Sequence, residues 1–294
     1  MIKFLKHIIK KINSEKSDLS KSDRIKNYKN NGNVPWSYGY HDFKESVITQ
    51  HINDDNFLEN LSHKKSLEGY GYRLDERVIE YPWIFSKLRV ENSKILDAGS
   101  TFNFEFIVNH PLIAQNSVTI YTYAPESNNF IDKGVSYLFG DLRELPFKDS
   151  WFDVVVSQST IEHIDMDNSI YGYKTEHLKD AGKKSYEFVT AVKEMLRVLK
   201  SQGTLLLTFP FGKFENHDFF QQFDEEMLNV ILDLLIDRGI TEVTFFRYDN
   251  DSWNFAAKEE LKSVVSYNPH TGRGKLNDGA AHCRSIACIH FIKN

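Results

Sequence analysis

The sequence predicts an α/β protein, a mostly parallel sheet of seven strands with helices on both faces. From Lys94 to the C-terminus, short apolar segments rich in β-branched and aromatic residues alternate with helical stripes. Strands separated by crossover helices close as right-handed parallel units. Composition agrees: 294 residues, 41% hydrophobic and 26% charged, with 15 Gly and 7 Pro, describe a folded chain large enough for a sizeable core.

Lys94 to Ala98 (KILDA), Val118 to Tyr123 (VTIYTY), Val135 to Phe139 (VSYLF) and Phe152 to Ser157 (FDVVVS) read as four buried strands. Tyr186 to Leu199 follows as a helix, with Phe188, Val192, Met195 and Leu196 on one face and Gly203 beyond its end. Thr204 to Pro210 is the fifth strand. Asp224 suits an N-cap, Glu225 and Glu226 a first turn, and Met227, Leu228, Ile231 and Leu235 a helical stripe that Gly239 stops. Val243 to Tyr248 and Ser285 to Ile292 complete the sheet.

Ahead of this pattern, Ile2, Leu5, Ile9 and Ile12 recur at helical spacing among lysines. This basic amphipathic helix suits weak contact with an anionic membrane, or packing on the body or a second copy. Residues 13–33 read as a polar linker. Residues 1–30 hold nine basic side chains against three acidic ones, so the remainder is acidic and nucleic acid is disfavoured as the main substrate. Cys283 and Cys288 read as buried thiols in a reducing compartment. No run approaches the roughly 20 apolar residues of a membrane span and no cleavable leader is recognisable, so the expected location is cytoplasmic, at most peripheral at the membrane.

Ligands of parallel sheets bind beyond the carboxyl ends of the strands. The first strand ends in Asp97-Ala98-Gly99-Ser100-Thr101, a glycine turn that lets backbone approach a ligand. The third ends in Gly140-Asp141-Leu142, whose carboxylate can accept from an exocyclic amine while Leu145, Pro146 and Phe147 cover a flat heterocycle. The fourth ends at Ser157 and leads into Glu162-His163. His163, and His217 with Asp218 past the fifth strand, are the candidate catalytic histidines. The competing roles are a brace for the following helix, which the sequence favours for His163, and a solvated loop around His217. No metal is expected. Arg73 lies either over the pocket, with Tyr72, or in an exposed surface turn.

The ordered series KILDAGS, GDLRELPF, FDVVVSQSTIEHI and EMLRVLKSQGTLLLTFP, over about residues 94–212, resembles the class I S-adenosylmethionine-dependent methyltransferases, in the methyltransferase type 11 group. The resemblance implies a Rossmann-like fold and S-adenosylmethionine as cofactor. It implies that Asp97, Gly99 and Ser100 form the cofactor loop, that Asp141 meets the adenine amine beside the Leu142 amide, and that Ser157 lies next to the donor. Arg73 is then available to the methionine carboxylate. The family's ribose carboxylate falls on Thr122, with Glu126 four residues on as a substitute, and its glycine run falls on Thr101 and Asn103.

PFG followed by ENH and FFQQFD resembles bacterial methyltransferases of surface polysaccharide synthesis. The chain is then expected to be an enzyme that methylates a small-molecule or sugar hydroxyl. The rivals are a catalytically silent methyltransferase fold serving as a binding or scaffold protein, and a nicotinamide oxidoreductase, for which the GxGxxG turn and the acid after the second strand are missing. The expected organisation is a basic helix and linker over 1–33, an N-terminal extension or cap over 34–93, and a methyltransferase domain over 94–294 with insertions near 165–184 and 249–284.

Overall fold

The computed structural model describes residues 19–88, 90–171 and 182–294, so the amphipathic segment 1–12 and half of the 165–184 insertion lie outside the described residues. Among the described residues, four helices precede the sheet: α1 (Lys21–Asn30), α2 (Tyr40–Ile52), α3 (Asp55–Ser62) and α4 (Arg77–Lys87). The first of them corrects the linker expected through residue 33. Ser20 caps it by accepting from the Asp23 amide, Arg24 pairs with Asp42 at 2.6 Å, and Tyr28 is fully buried, edge-on to Tyr40. Its apolar face is one residue wide, too narrow to register as a helical period. Helix α4 is the opposite case, buried at every position from Val78 to Ser86.

The strands are β1 (Lys94–Ala98), β2 (Ser117–Thr122), β3 (Ser136–Phe139), β4 (Phe152–Gln158) and β5 (Leu199–Pro210), then the two-residue β6 (Glu215–Asn216) and β7 (Gln221–Gln222), and finally β8 (Gly239–Asp249), β9 (Ser252–Phe255) and β10 (Ser285–Lys293). Two short helices, α5 (Glu105–Val108) and α6 (Pro111–Ala114), connect β1 to β2, while α7 (Phe188–Val198) and α8 (Glu225–Leu235) flank β5. The main sheet runs β3-β2-β1-β4-β5-β10-β8-β9, with β1 to β5 parallel and β10 antiparallel to both neighbours. It is the predicted Rossmann-like architecture with eight strands instead of seven. The added β9 pairs with β8 across a two-residue turn in which Asn250 and Asp251 both have positive φ, a combination that matches the twist of a hairpin.

Successive strand residues face opposite sides, which splits the core in two. Ile95, Val154, Val156 and Leu206 pack with α2 and α4 on one face, whereas Leu96, Val155, Leu205 and Leu207 pack with α7 and α8 on the other. Asp224 caps α8 as predicted, its carboxylate accepting from the Met227 amide at 3.1 Å. Strand β1 lies between β2 and β4, so the strand order switches from one side of β1 to the other there and a crevice opens beyond the carboxyl ends of β1 and β4. No described helix is long and apolar enough to cross a membrane.

Candidate active site

Asp97 at the end of β1 is fully buried, and its carboxylate accepts from the Thr101 amide (3.1 Å), the Thr101 hydroxyl (3.0 Å) and the Phe102 amide (2.7 Å). It shapes the turn from inside. Burial pushes its pKa up to about 7 against those hydrogen bonds. Thr101, on which the family's glycine run falls, gives its hydroxyl to Asp97, while Gly99 (φ 134°) and Ser100 (φ 66°) make the bend. The Ser100 hydroxyl is buried without a partner. Asn103 ties the turn to the loop after β2, donating to Glu126 at 3.0 Å and accepting from Tyr137 at 2.8 Å. Thr122 donates to the other Glu126 oxygen at 3.3 Å. An exposed carboxylate therefore stands at the mouth of β2, four residues later than the resemblance places it.

Past β3, Asp141 is gripped by Arg143 through Nη2 (2.7 Å), Nε and the Arg143 amide (2.8 Å). Burial would raise its pKa, but these bonds hold it below the usual carboxylate range. Leu142 and Leu145 are buried beside it. Ser157 is fully buried and its hydroxyl, like Gln158 Oε1, has no partner. Seven of the sequence-predicted cofactor residues thus gather at the carboxyl ends of β1 to β4. Arg73 does not join them: its guanidinium pairs with Asp251 at the β8–β9 turn (3.1 and 3.2 Å) and with the Gly32 carbonyl.

The guanidinium at the strand ends is Arg77, on the first turn of α4. It donates to Glu80 at 2.8 Å and to the Gln158 carbonyl at 3.4 Å. Glu80 is fully buried and also accepts from Ser159 (2.5 Å), Thr208 (2.6 Å) and Gln158 (3.3 Å), which joins α4 to the exits of β4 and β5. Glu162 is buried next to this group, with one carboxylate oxygen unpartnered, and burial drives its pKa well above the normal range despite Arg77. Glu80 is not among the expected site residues, although one carboxylate inside the apolar run VIEYPWIF is a legible signal.

His163 follows β4 in a 3-10 turn, Ile161–His163, with its Nδ1 2.7 Å from the Phe219 carbonyl. His217, for which a catalytic role and a solvated loop were the alternatives, is not in a solvated loop: it is 1% exposed in the β6–β7 turn, stacked on Phe220 at 4.5 Å with both ring nitrogens unpartnered. The residue sits on an aromatic floor that linear sequence does not display. Burial lowers both pKa values to about 4. Unfolded histidine binds a proton near pH 6.5, so the stability these two contribute is full above pH 6.5 and is lost as pH falls toward 4. We expect the denaturation midpoint to fall between pH 6.5 and 5, and His217→Phe, which keeps the stack, to flatten that slope. An unchanged slope removes His217 from the effect.

Glu76, just before α4, and His282, just before β10, form a further pair: Oε1 to Nδ1 is 2.9 Å. Cys283 donates its amide to the other Glu76 oxygen at 3.3 Å, and these three residues are the one group among the described residues with three potential metal-ligand atoms within 4.8 Å. The Cys283 sulfur, however, lies 3.2 Å from Nδ1 and 4.0 Å from Nε2 of the ring, beside both nitrogens instead of along the in-plane lone pair that a metal would share. The thiol is buried and its pKa pushed well up. The pair spans opposite ends of the chain, so no local motif announces it.

Residues 114–207 match the model of a family described as methyltransferase domain, roughly a third of the chain. This stretch is a methyltransferase domain match. It takes in β2 to β4 and most of β5, with Thr122, Asp141, Leu142, Ser157 and His163, and starts after the Asp97–Asn103 turn. The strand order agrees with the mostly parallel, Rossmann-like α/β fold class that the sequence predicted. Among solved structures, the chain resembles the YcgJ protein of Bacillus subtilis, with 13% identity over 71% of this chain and 95% of that one and a TM-score of 0.41. It also resembles 1,6-didemethyltoxoflavin-N1-methyltransferase of Burkholderia thailandensis, solved with 1,6-didemethyltoxoflavin and S-adenosylhomocysteine, with 12% identity over 86% and 90% of the chains and a TM-score of 0.42. No curated protein matches in sequence.

Proposed function

We propose that this methyltransferase fold binds S-adenosylmethionine at the carboxyl ends of β1 to β4 and methylates a hydroxyl of a sugar or related small molecule. The observation that carries the reading is the grouping of two carboxylates, Glu126 and Asp141, with the buried, unpartnered hydroxyls of Ser100 and Ser157 around the point where the strand order switches sides. These groups suit the cofactor: an exposed carboxylate for ribose hydroxyls, a second for an amine, and apolar Leu142 and Leu145 for a flat ring. When bound, the cofactor supplies an activated methyl group. The chain's part is alignment and exclusion of water, with the acceptor held between the exits of β4 and β5 and the α4 segment. His163 and His217 serve there as neutral contacts, since groups with pKa values near 4 make weak bases at neutral pH. The PFG, ENH and FFQQFD segments favour a sugar acceptor and a place in surface polysaccharide synthesis.

Calorimetric titration with S-adenosylhomocysteine tests the reading. We expect saturable binding, weakened in Asp141→Ala by about 1–3 kcal/mol, the range for losing a charged hydrogen bond. Binding of NAD in place of S-adenosylhomocysteine would overturn it. Cofactor binding without transfer to any of a panel of hexoses and nucleotide-linked hexoses would favour the silent scaffold.

A further inference from the structure

We propose that His282, oriented by Glu76, is the general base that accepts the proton of the acceptor hydroxyl. This deepens, and rests on, the methyltransferase reading. The pair stands where four separate segments converge. Glu76 immediately precedes Arg77, whose guanidinium bonds the Gln158 carbonyl at the exit of β4. The His282 ring packs against Phe220 (5.0 Å) and Phe219 (6.5 Å) of the β6–β7 hairpin, and the Phe219 carbonyl in turn engages His163. The fourth segment is the loop that carries His282 itself into β10.

The Glu76 carboxylate fixes the tautomer. It accepts from the ring at Nδ1, which leaves Nε2 as the basic nitrogen, with the Cys283 sulfur 4.0 Å away as its partner among the described residues. Glu76 is 4% exposed and stays ionised: burial alone would raise its pKa, but His282 and Arg77 hold it well below the carboxylate range. A buried anion beside Nδ1 stabilises the imidazolium that forms when Nε2 takes a proton. The other titratable groups near the pair are Arg77, whose charge acts on Glu76, the buried Glu162 and Cys283, and the neutral His163 and His217; Glu76 is the charged group hydrogen-bonded to the ring. The side chain of His282 is 15% exposed.

A hydroxyl acceptor needs such a base, whereas a neutral amine already presents its lone pair. In the step, the acceptor oxygen bonds the methyl carbon, the carbon–sulfur bond breaks with its electron pair going to sulfur, and the hydroxyl proton passes to His282 Nε2. The proton later leaves to water as the imidazole is regenerated.

The test uses the full chain. In imidazole titrations followed by NMR, Glu76→Gln should make His282 harder to protonate than in the wild-type chain, and Glu76→Asp should restore it. With S-adenosylmethionine and the hexose panel, His282→Ala should cut kcat about 10²-fold or more while leaving S-adenosylhomocysteine affinity unchanged. The kcat profile of Glu76→Gln should move with the NMR titration. The assignment is overturned if the His282 ring resonances ignore Glu76→Gln, or if His282→Ala keeps wild-type kcat. One tightly held zinc per chain that is lost in Cys283→Ser would also overturn it, because Nδ1 would then be a metal ligand. Loss of S-adenosylhomocysteine binding by the wild-type chain sinks the methyltransferase reading alone, since the titration reads the pair directly.

Discussion

Glu80→Ala lowers the free energy of unfolding by about 3–5 kcal/mol, the range for removing one partner of a buried ion pair. Glu80 is fully buried and is the common acceptor for Arg77, Ser159, Thr208 and Gln158. Its loss strands the Arg77 guanidinium and two hydroxyls at the exits of β4 and β5, and leaves a cavity in a helix whose neighbours from Val78 to Ser86 are all buried. Urea denaturation at pH 7 measures the change. Glu80→Gln retains an acceptor and the volume, so we expect a smaller loss; equal losses would mean that shape alone matters there. Both variants should also loosen the acceptor side, because α4 carries Arg77 and follows directly from Glu76.

Gly99→Ala is expected to cost about 2–3 kcal/mol of stability through backbone strain and overpacking, and to weaken S-adenosylhomocysteine binding at least tenfold. The backbone at Gly99 has φ 134°, and an added Cβ would lie 2.1 Å from the Thr160 hydroxyl oxygen and 2.6 Å from its methyl carbon. Either the turn after β1 or the turn after β4 must move, and both line the crevice. Gly69 supplies the control: its φ is 70° but nothing lies within 4 Å of the position a Cβ would take. Gly69→Ala should therefore show only the backbone cost, about 1–2 kcal/mol. Adding Thr160→Gly to Gly99→Ala should recover the steric part and not the backbone part. Identical losses in both alanine variants would show that the Thr160 contact is unimportant.

The elements read most accurately from sequence were those whose period is set by one buried face. KILDA and FDVVVS needed no tertiary information, because β-branched runs of that length between turns have few other uses. The cap at Asp224 was equally legible, being a local contact with Met227. Helix α1 was not, since Tyr28 alone buries its inner face, and its partners Tyr40 and Asp42 come from the following helix. The hairpin that adds β9 was signalled by Asn250-Asp251, but its stability comes from Phe255 packing on Phe246 at 4.7 Å.

By itself, the sequence determined the order of strands and helices, and hence which residues stand at the carboxyl ends of the sheet: Gly99, Asp141 and Ser157 are there because strand ends are local facts. What each group does there was decided by tertiary structure. Asp97 faces inward because its own loop folds back on it, and Arg73 is drawn to Asp251 while Arg77 takes its place at the strand ends. His217 is buried on Phe220, and His282 gains Glu76 from 206 residues away. The reason is physical. Backbone periodicity is written in neighbouring residues, whereas the charge state and hydrogen-bond partner of a buried side chain depend on whatever the packed chain brings within about 3 Å of it.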